Sequence, residues 1–174
     1  MGYVQSESPS RNQARRERTQ VLPEAPLRSP LRVLVVDDSP VNRMIALAQL
    51  ELLDVSPVLA NDGAEAVALA CAETFDLILM DLQMPVLDGL GATARIRRFE
   101  SESASPRVPV VAYTSCAVGS DAAFVRDFGL DAVLEKPCDL TALRECLLSW
   151  CPAPVASLDE PRPTAAMATL GRAR

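Results

Sequence analysis

The chain has 174 residues, 49% of them hydrophobic but only 4% aromatic, with five cysteines and a net charge of −6 at pH 7. That length suits one domain of ordinary size with tails, too short for two well-cored domains, and the composition calls for a core of Val, Leu, Ile and Ala. With no histidine, His-based metal sites, Ser-His or Cys-His catalysis and any phosphohistidine on this chain are excluded, and no apolar run approaches the roughly 18 residues of a membrane span or follows the pattern of a signal peptide.

Residues 1–30 mix Ser, Pro, Arg, Gln and Glu without sustained apolar periodicity and read as a disordered tail. Its Arg11 to Arg18 patch is either a solvated run or a contact for an acidic partner. Met1-Gly2-x-x-x-Ser6 matches a myristoylation pattern only by coincidence, since nothing else points to a membrane. The domain is expected over residues 31–151, where nine basic side chains face 18 acidic ones. A body of that sign argues against nucleic acid as the main partner.

Leu31 to Val36 is apolar and β-branched, a first strand ending in Asp37-Asp38-Ser39-Pro40. Pro favours the first helical position, so Ser39 or Asp38 caps a helix whose core face is expected to be Val41, Met44, Ile45, Ala48 and Leu52. Val55 to Ala60 reads as the second strand, placed at a sheet edge by Pro57. After the turn signal Asn61-Asp62-Gly63, an Ala-rich helix runs to about Glu73. Leu77 to Met80 is a short continuous apolar run closed by Asp81, which suits a strand buried on both faces. A helix from Gly89 to about Phe99 follows, then a surface loop over Glu100 to Arg107. Val108 to Tyr113 is the fourth strand, ending at Thr114-Ser115. A helix near Val118 to Phe128 is closed by Gly129 as its C-cap. Ala132 to Glu135 is the fifth strand, ending at Lys136-Pro137, and the last helix, about Asp139 to Cys151, sets Leu140, Leu143, Leu147 and Trp150 on one side. Residues 152–174 form a second Pro- and Ala-rich tail, also expected to be disordered.

Strands alternating with helices imply an α/β fold, a five-stranded parallel sheet with helices on both faces. In such sheets ligands bind outside the carboxyl ends of the strands, and there the sequence places Asp37-Asp38, Asp81, Thr114 and Lys136. Taken singly, Asp81 is as readily a strand-ending turn residue, and Lys136 a chance surface lysine. Together they say more. Lys136 is the single lysine among 17 basic residues, and Arg does not replace Lys where a compact ammonium must meet a phosphoryl oxygen. Three close carboxylates call for a hard cation such as Mg²⁺. The set suits phosphoryl transfer, which is mainly positioning and charge neutralisation, with a carboxylate as nucleophile. Cys71, Cys116, Cys138, Cys146 and Cys151 form no CxxC pair, which fits reduced thiols in a cytoplasmic protein.

Val33-Leu-Val-Val-Asp-Asp-Ser-Pro-Val-Asn42, Met80-Asp81-Leu-Gln-Met-Pro85 with Asp88-Gly89, Val110-Val-Ala-Tyr-Thr-Ser115 and Glu135-Lys136-Pro137 together resemble the receiver domains of two-component response regulators, most nearly those attached to hybrid sensor kinases. The resemblance implies the flavodoxin-like (βα)5 receiver fold, with Asp81 as phosphoacceptor. It implies Asp37 and Asp38 as the acidic pair holding Mg²⁺, with Asp81 and the backbone carbonyl of Gln83 completing the ligands. Thr114 matches the hydroxyl that moves to meet the phosphoryl group, Lys136 the lysine that pairs with it, and Pro137 a proline usually preceded by a cis peptide. One position departs from the pattern. The aromatic expected just before Leu134 is Val133, so the usual aromatic switch is absent.

The function expected is a stand-alone receiver, a single-domain response regulator or phosphorelay shuttle that accepts a phosphoryl group on Asp81 from a histidine kinase or a histidine phosphotransfer protein. It is a signalling protein rather than an enzyme, cytoplasmic, with no nucleic-acid or membrane partner. An aspartate-nucleophile phosphatase would place a second Asp where Gln83 stands. A receiver-like interaction module that never takes a phosphate would not need the full set of acids, hydroxyl and lysine.

Overall fold

The computed structural model describes residues 30–115 and 122–151. Five parallel strands, β1 (Val33–Val36), β2 (Val58–Ala60), β3 (Leu77–Met80), β4 (Val110–Thr114) and β5 (Ala132–Glu135), form one sheet in the order β2-β1-β3-β4-β5. Between them run α1 (Pro40–Glu51), α2 (Gly63–Ala72), α3 (Gly89–Ser103) and α4 (Ala122–Asp127), and α5 (Leu140–Trp150) closes the fold. The part of the fourth helix expected before Ala122, and the two tails apart from Pro30, lie outside the described residues, as does Cys116.

The central strand shows why these elements form. All four residues of β3 are fully buried, Leu77 and Leu79 in the layer under α1 and α5, Ile78 and Met80 in the layer under α2, α3 and α4. Burying side chains of this size stabilises the fold by about 1.5–3 kcal/mol each, so a strand apolar on both faces belongs in the middle of the sheet. Pro57 ends up just outside β2, which is indeed an edge strand.

Two expectations about packing are corrected. The α1 residues expected to face the core are the exposed ones: Val41 is 62%, Met44 69%, Ile45 50% and Leu52 73% exposed, and Ala48 is exposed as well. The helix instead buries Ala46 and Leu50, followed by Leu53 just past its end. The cause is polar. The Asn42 side chain donates to Asp37 Oδ1 at 3.2 Å, Arg43 donates to the Asp37 carbonyl at 2.5 Å, and Gln49 donates to the Cys138 carbonyl at 2.9 Å. Those three bonds rotate the helix so that its second apolar stripe meets the sheet.

The second correction concerns Glu100 to Arg107. The first four of these residues continue α3, which ends at Ala104 in the left-handed conformation (φ 52). Glu100 is buried because Arg97 holds it at 2.8 Å and the Val108 amide donates to it at 2.8 Å. Arg97 also reaches Asp131 at 2.8 Å and the carbonyls of Gly129 and Val108. A polar stretch therefore joins α3 to the amino ends of β4 and β5. Gly129 takes φ 73 after α4, the expected C-cap conformation.

Candidate functional site

β1 and β3 lie side by side, with Val36 opposite Met80, so the residues that follow them, Asp37 and Asp81, emerge together. On the far side of β3, Thr114 at the end of β4 stands opposite Glu135 at the end of β5, which sets Lys136 beside the same edge. Since β1 is flanked by β2 and β3, this is also where the strand order reverses, the usual place for a ligand crevice.

Each group is held by its own local structure. The Asp37 carboxylate accepts the Ser39 amide at 2.8 Å and the Asn42 side chain, and Ser39, not Asp38, caps α1 by accepting the Asn42 amide at 3.4 Å. The Asp81 amide donates to the Val36 carbonyl at 2.9 Å, and Asp81 Oδ1 accepts the Gln83 amide at 3.2 Å. Behind Asp81, α3 begins at Gly89, where a Cβ would stand 2.1 Å from the Asp81 carbonyl oxygen; only glycine allows the helix to start so close. Asp88 caps that helix by accepting the Gly91 amide at 2.7 Å.

Oxygens of Asp37, Asp38 and Asp81 all lie within 4.8 Å of one another, with Asp37 and Asp81 buried and Asp38 exposed. Lys136 bridges two of the three. Its Nζ donates to Asp81 Oδ2 at 3.0 Å and to Asp37 Oδ2. Thr114 is fully buried, and its carbonyl accepts the Lys136 amide at 2.9 Å. Gln83 follows on the exposed loop, and the Lys136-Pro137 peptide is cis. The donor set is all hard oxygen and carries three negative charges against one ammonium, which fits a Mg²⁺-sized ion better than any soft metal. Every candidate from the sequence thus reaches one edge of the sheet. Sequence reasoning missed the braces Asn42 and Arg43, and it missed Tyr113, whose ring lies under the Lys136 ammonium; Asn42 and Tyr113 stand in the quoted motifs only as letters without a role.

The cysteines are unremarkable by comparison. Among the described residues Cys71, Cys138 and Cys146 are free thiols, Cys151 Sγ donates to the Asp76 carbonyl at 3.4 Å, and burial, with Cys151 and Cys138 nearby, pushes the Cys146 thiol up to about 12. No described helix is long and apolar enough to cross a membrane.

Comparison with known proteins agrees with this geometry. Residues 33–148 match the family described as the response regulator receiver domain. The sensor protein GacS of Pseudomonas syringae pv. syringae is 37% identical over 133 residues, which are 76% of this chain but only 15% of GacS. The chain therefore spans a small part of the curated relatives it resembles. The solved receiver domain of the sensor histidine kinase PA1611 from Pseudomonas aeruginosa PAO1, with a magnesium ion coordinated in its active site cleft, is 37% identical with a TM-score of 0.61, covering 69% of this chain and 96% of that one. The receiver domain of the Saccharomyces cerevisiae response regulator Ssk1, crystallised with the histidine phosphotransfer protein Ypd1, is 34% identical with a TM-score of 0.64, covering 70% of this chain and 88% of that one. Because the matched stretch runs from the first residue of β1 into α5 and encloses the whole acidic cluster with its lysine, this chain belongs to the receiver-domain family of two-component signalling, beside the receivers of hybrid sensor kinases.

Proposed function

We propose that the chain works as a phosphoryl-accepting receiver in a phosphorelay, taking the group on Asp81 from the phosphohistidine of a histidine kinase or a histidine phosphotransfer protein. The observation that carries this reading is the meeting of three carboxylates within 4.8 Å, two of them bridged by the chain's single lysine, at the carboxyl edge of the sheet. An Asp81 carboxylate oxygen forms the new bond to phosphorus as the bond from phosphorus to the donor's imidazole nitrogen breaks, and the electron pair leaves with that nitrogen. Asp37, Asp38, Asp81 and the Gln83 carbonyl are the groups that would hold Mg²⁺, which supplies positive charge to the transferring oxygens when bound. Lys136 supplies a second positive charge, and the Thr114 hydroxyl a neutral hydrogen bond. The role is that of a cytoplasmic signalling module rather than a hydrolase, since position 83 offers no second carboxylate.

The partner reading is supported by α1. Its exposed Val41, Met44, Ile45, Ala48 and Leu52 recur at helical spacing and form an apolar stripe beside the Asp81 edge. An amphipathic helix of a phosphotransfer partner would cover such a stripe and bring its histidine to Asp81.

Incubation with acetyl phosphate and Mg²⁺, read by intact mass, tests the central assignment. One phosphoryl group is expected on the parent protein and none on Asp81→Asn. Equal labelling of both would remove Asp81 from the mechanism.

A further inference from the structure

Among the described residues the Lys136 ammonium meets the carboxylates of Asp37 and Asp81 and the face of the Tyr113 ring, whose centroid lies 4.7 Å from Nζ. The ring is 4% exposed, within the apolar layer under α1 and α5. Its hydroxyl accepts a hydrogen bond from Cys138 Sγ at 3.6 Å, so Tyr113 touches the chain on both sides of Pro137. Burial first, then that hydrogen bond and the nearby Cys138 and Asp37, hold the hydroxyl pKa well above its usual value, which keeps the ring neutral. Tyr113 also walls a cleft of about 280 Å³ with Asn42, Ile45, Ser115, Lys136 and Pro137.

We propose that Tyr113 is the positioning residue of Lys136: its ring face seats the ammonium while Nζ exchanges the Asp81 carboxylate for an oxygen of the incoming phosphoryl group. This rests on the reading of Asp81 as phosphoacceptor. Lysine is a compact, strongly hydrated charge on a flexible four-carbon stem, and unpinned it would turn into the water of the adjoining cleft. Its ion pair with Asp81 weakens when the carboxylate becomes an acyl phosphate, at the moment when the phosphoryl oxygens need a cation. The ring's attraction is spread over its face and is not aimed along one lone pair. It therefore survives a displacement of Nζ and does not depend on the state of Asp81. A Leu or Met here would fill the space without attracting the charge.

Nor is Tyr113 the missing aromatic of position 133 in another guise. In the register of β4 and β5, Tyr113 stands opposite Leu134 and Val133 opposite Ala112. The two side chains pack into opposite layers, Tyr113 under α1 and α5, Val133 on the other face.

The single lysine makes the test direct, because full-length protein grown with ε-labelled lysine gives one methylene signal. In the parent protein the ring current is expected to move those protons upfield, and protons at the free-lysine position would overturn the proposal. Tyr113→Phe keeps the ring and should keep both that shift and the rate of labelling by acetyl phosphate with Mg²⁺. Tyr113→Leu should lose the shift and label about tenfold more slowly, the loss expected when a contact of cation–π strength is removed. Its Mg²⁺ affinity should not change, since every carboxylate remains. Parent-rate labelling of Tyr113→Leu, or a Phe variant as slow as the Leu variant, would overturn the proposal. If the parent itself takes no phosphoryl group, the assignment of Asp81 fails and the lysine signal alone decides the seat. Should Tyr113→Leu not fold, the parent signal and the Phe variant still decide.

Discussion

Asp38 differs from its two neighbours in being exposed: Asp37 is 1% and Asp81 7% exposed, while the Asp38 carboxylate faces solvent. It does not cap α1, a task that falls to Ser39, so no local structural need explains an acid there. Its remaining role is charge. Replacing Asp38 with Asn keeps the shape and removes one of three carboxylates, so Mg²⁺ affinity should fall on the order of tenfold, the scale of one charge lost a few ångströms from a divalent ion in a near-aqueous medium. Calorimetric titration checks it, and an Asn variant that binds Mg²⁺ as tightly as the parent would reduce Asp38 to a solvated surface acid. The residues of the cluster were legible in the sequence because each stands at a strand end or within two residues past it, and strand ends can be read from where an apolar run stops. Tyr113 was not, because inside Val110–Thr114 it reads only as one more β-forming residue; that its ring meets Lys136 depends on which face of β4 it takes.

At the scale of elements, legibility followed the kind of pattern each segment carries. β3 and β5 match their expected bounds because apolar runs bracketed by Asp, Gly or Pro leave one choice. For α1 the pattern is ambiguous, with one apolar stripe through Val41, Met44, Ile45, Ala48 and Leu52 and a second through Ala46, Leu50 and Leu53. Periodicity shows that both exist; the bonds of Asn42, Arg43 and Gln49 decide which turns inward. The outward stripe now becomes a prediction. Met44, 69% exposed, makes no contribution to the core, and Met44→Glu retains helix propensity. This variant should accept phosphate from acetyl phosphate at the parent rate but bind a phosphotransfer protein roughly tenfold more weakly, as expected when a charge enters the apolar centre of an interface. Competition binding checks the second part. Unchanged affinity would mean that the partner docks elsewhere. α3 was underestimated for the opposite reason: its last turn is polar, yet Glu100 is buried because Arg97 and the Val108 amide satisfy it.

For the whole molecule, the question is how far a phosphoryl group on Asp81 is felt. The resemblance to receiver domains implies a usual switch in which an aromatic at position 133 turns inward as the hydroxyl at position 114 moves, remodelling the surface around the last strand and helix. Here Val133 is half-buried, packed against the layer that includes Phe124 and Leu130, and stands opposite Ala112. It has no ring to turn, and a β-branched side chain has few χ1 states to choose from. The groups that can respond are those already joined to the site: the loop from Asp81 to Gly89, whose Val86 sits exposed at φ 69, Thr114, and the Lys136 to Cys138 segment held by Tyr113. α1 is tied to the same site through Asn42, Arg43 and Gln49, so a response reaches the apolar stripe without passing through position 133. Amide chemical shifts recorded with and without beryllofluoride should therefore change strongly around Asp81, Thr114, Lys136 and α1, and only weakly along Ala132 to Glu135 and Leu140 to Trp150. Shifts along those last two segments as large as those beside Asp81 would show that a signal crosses β5 without an aromatic ring, and that the valine does not confine it.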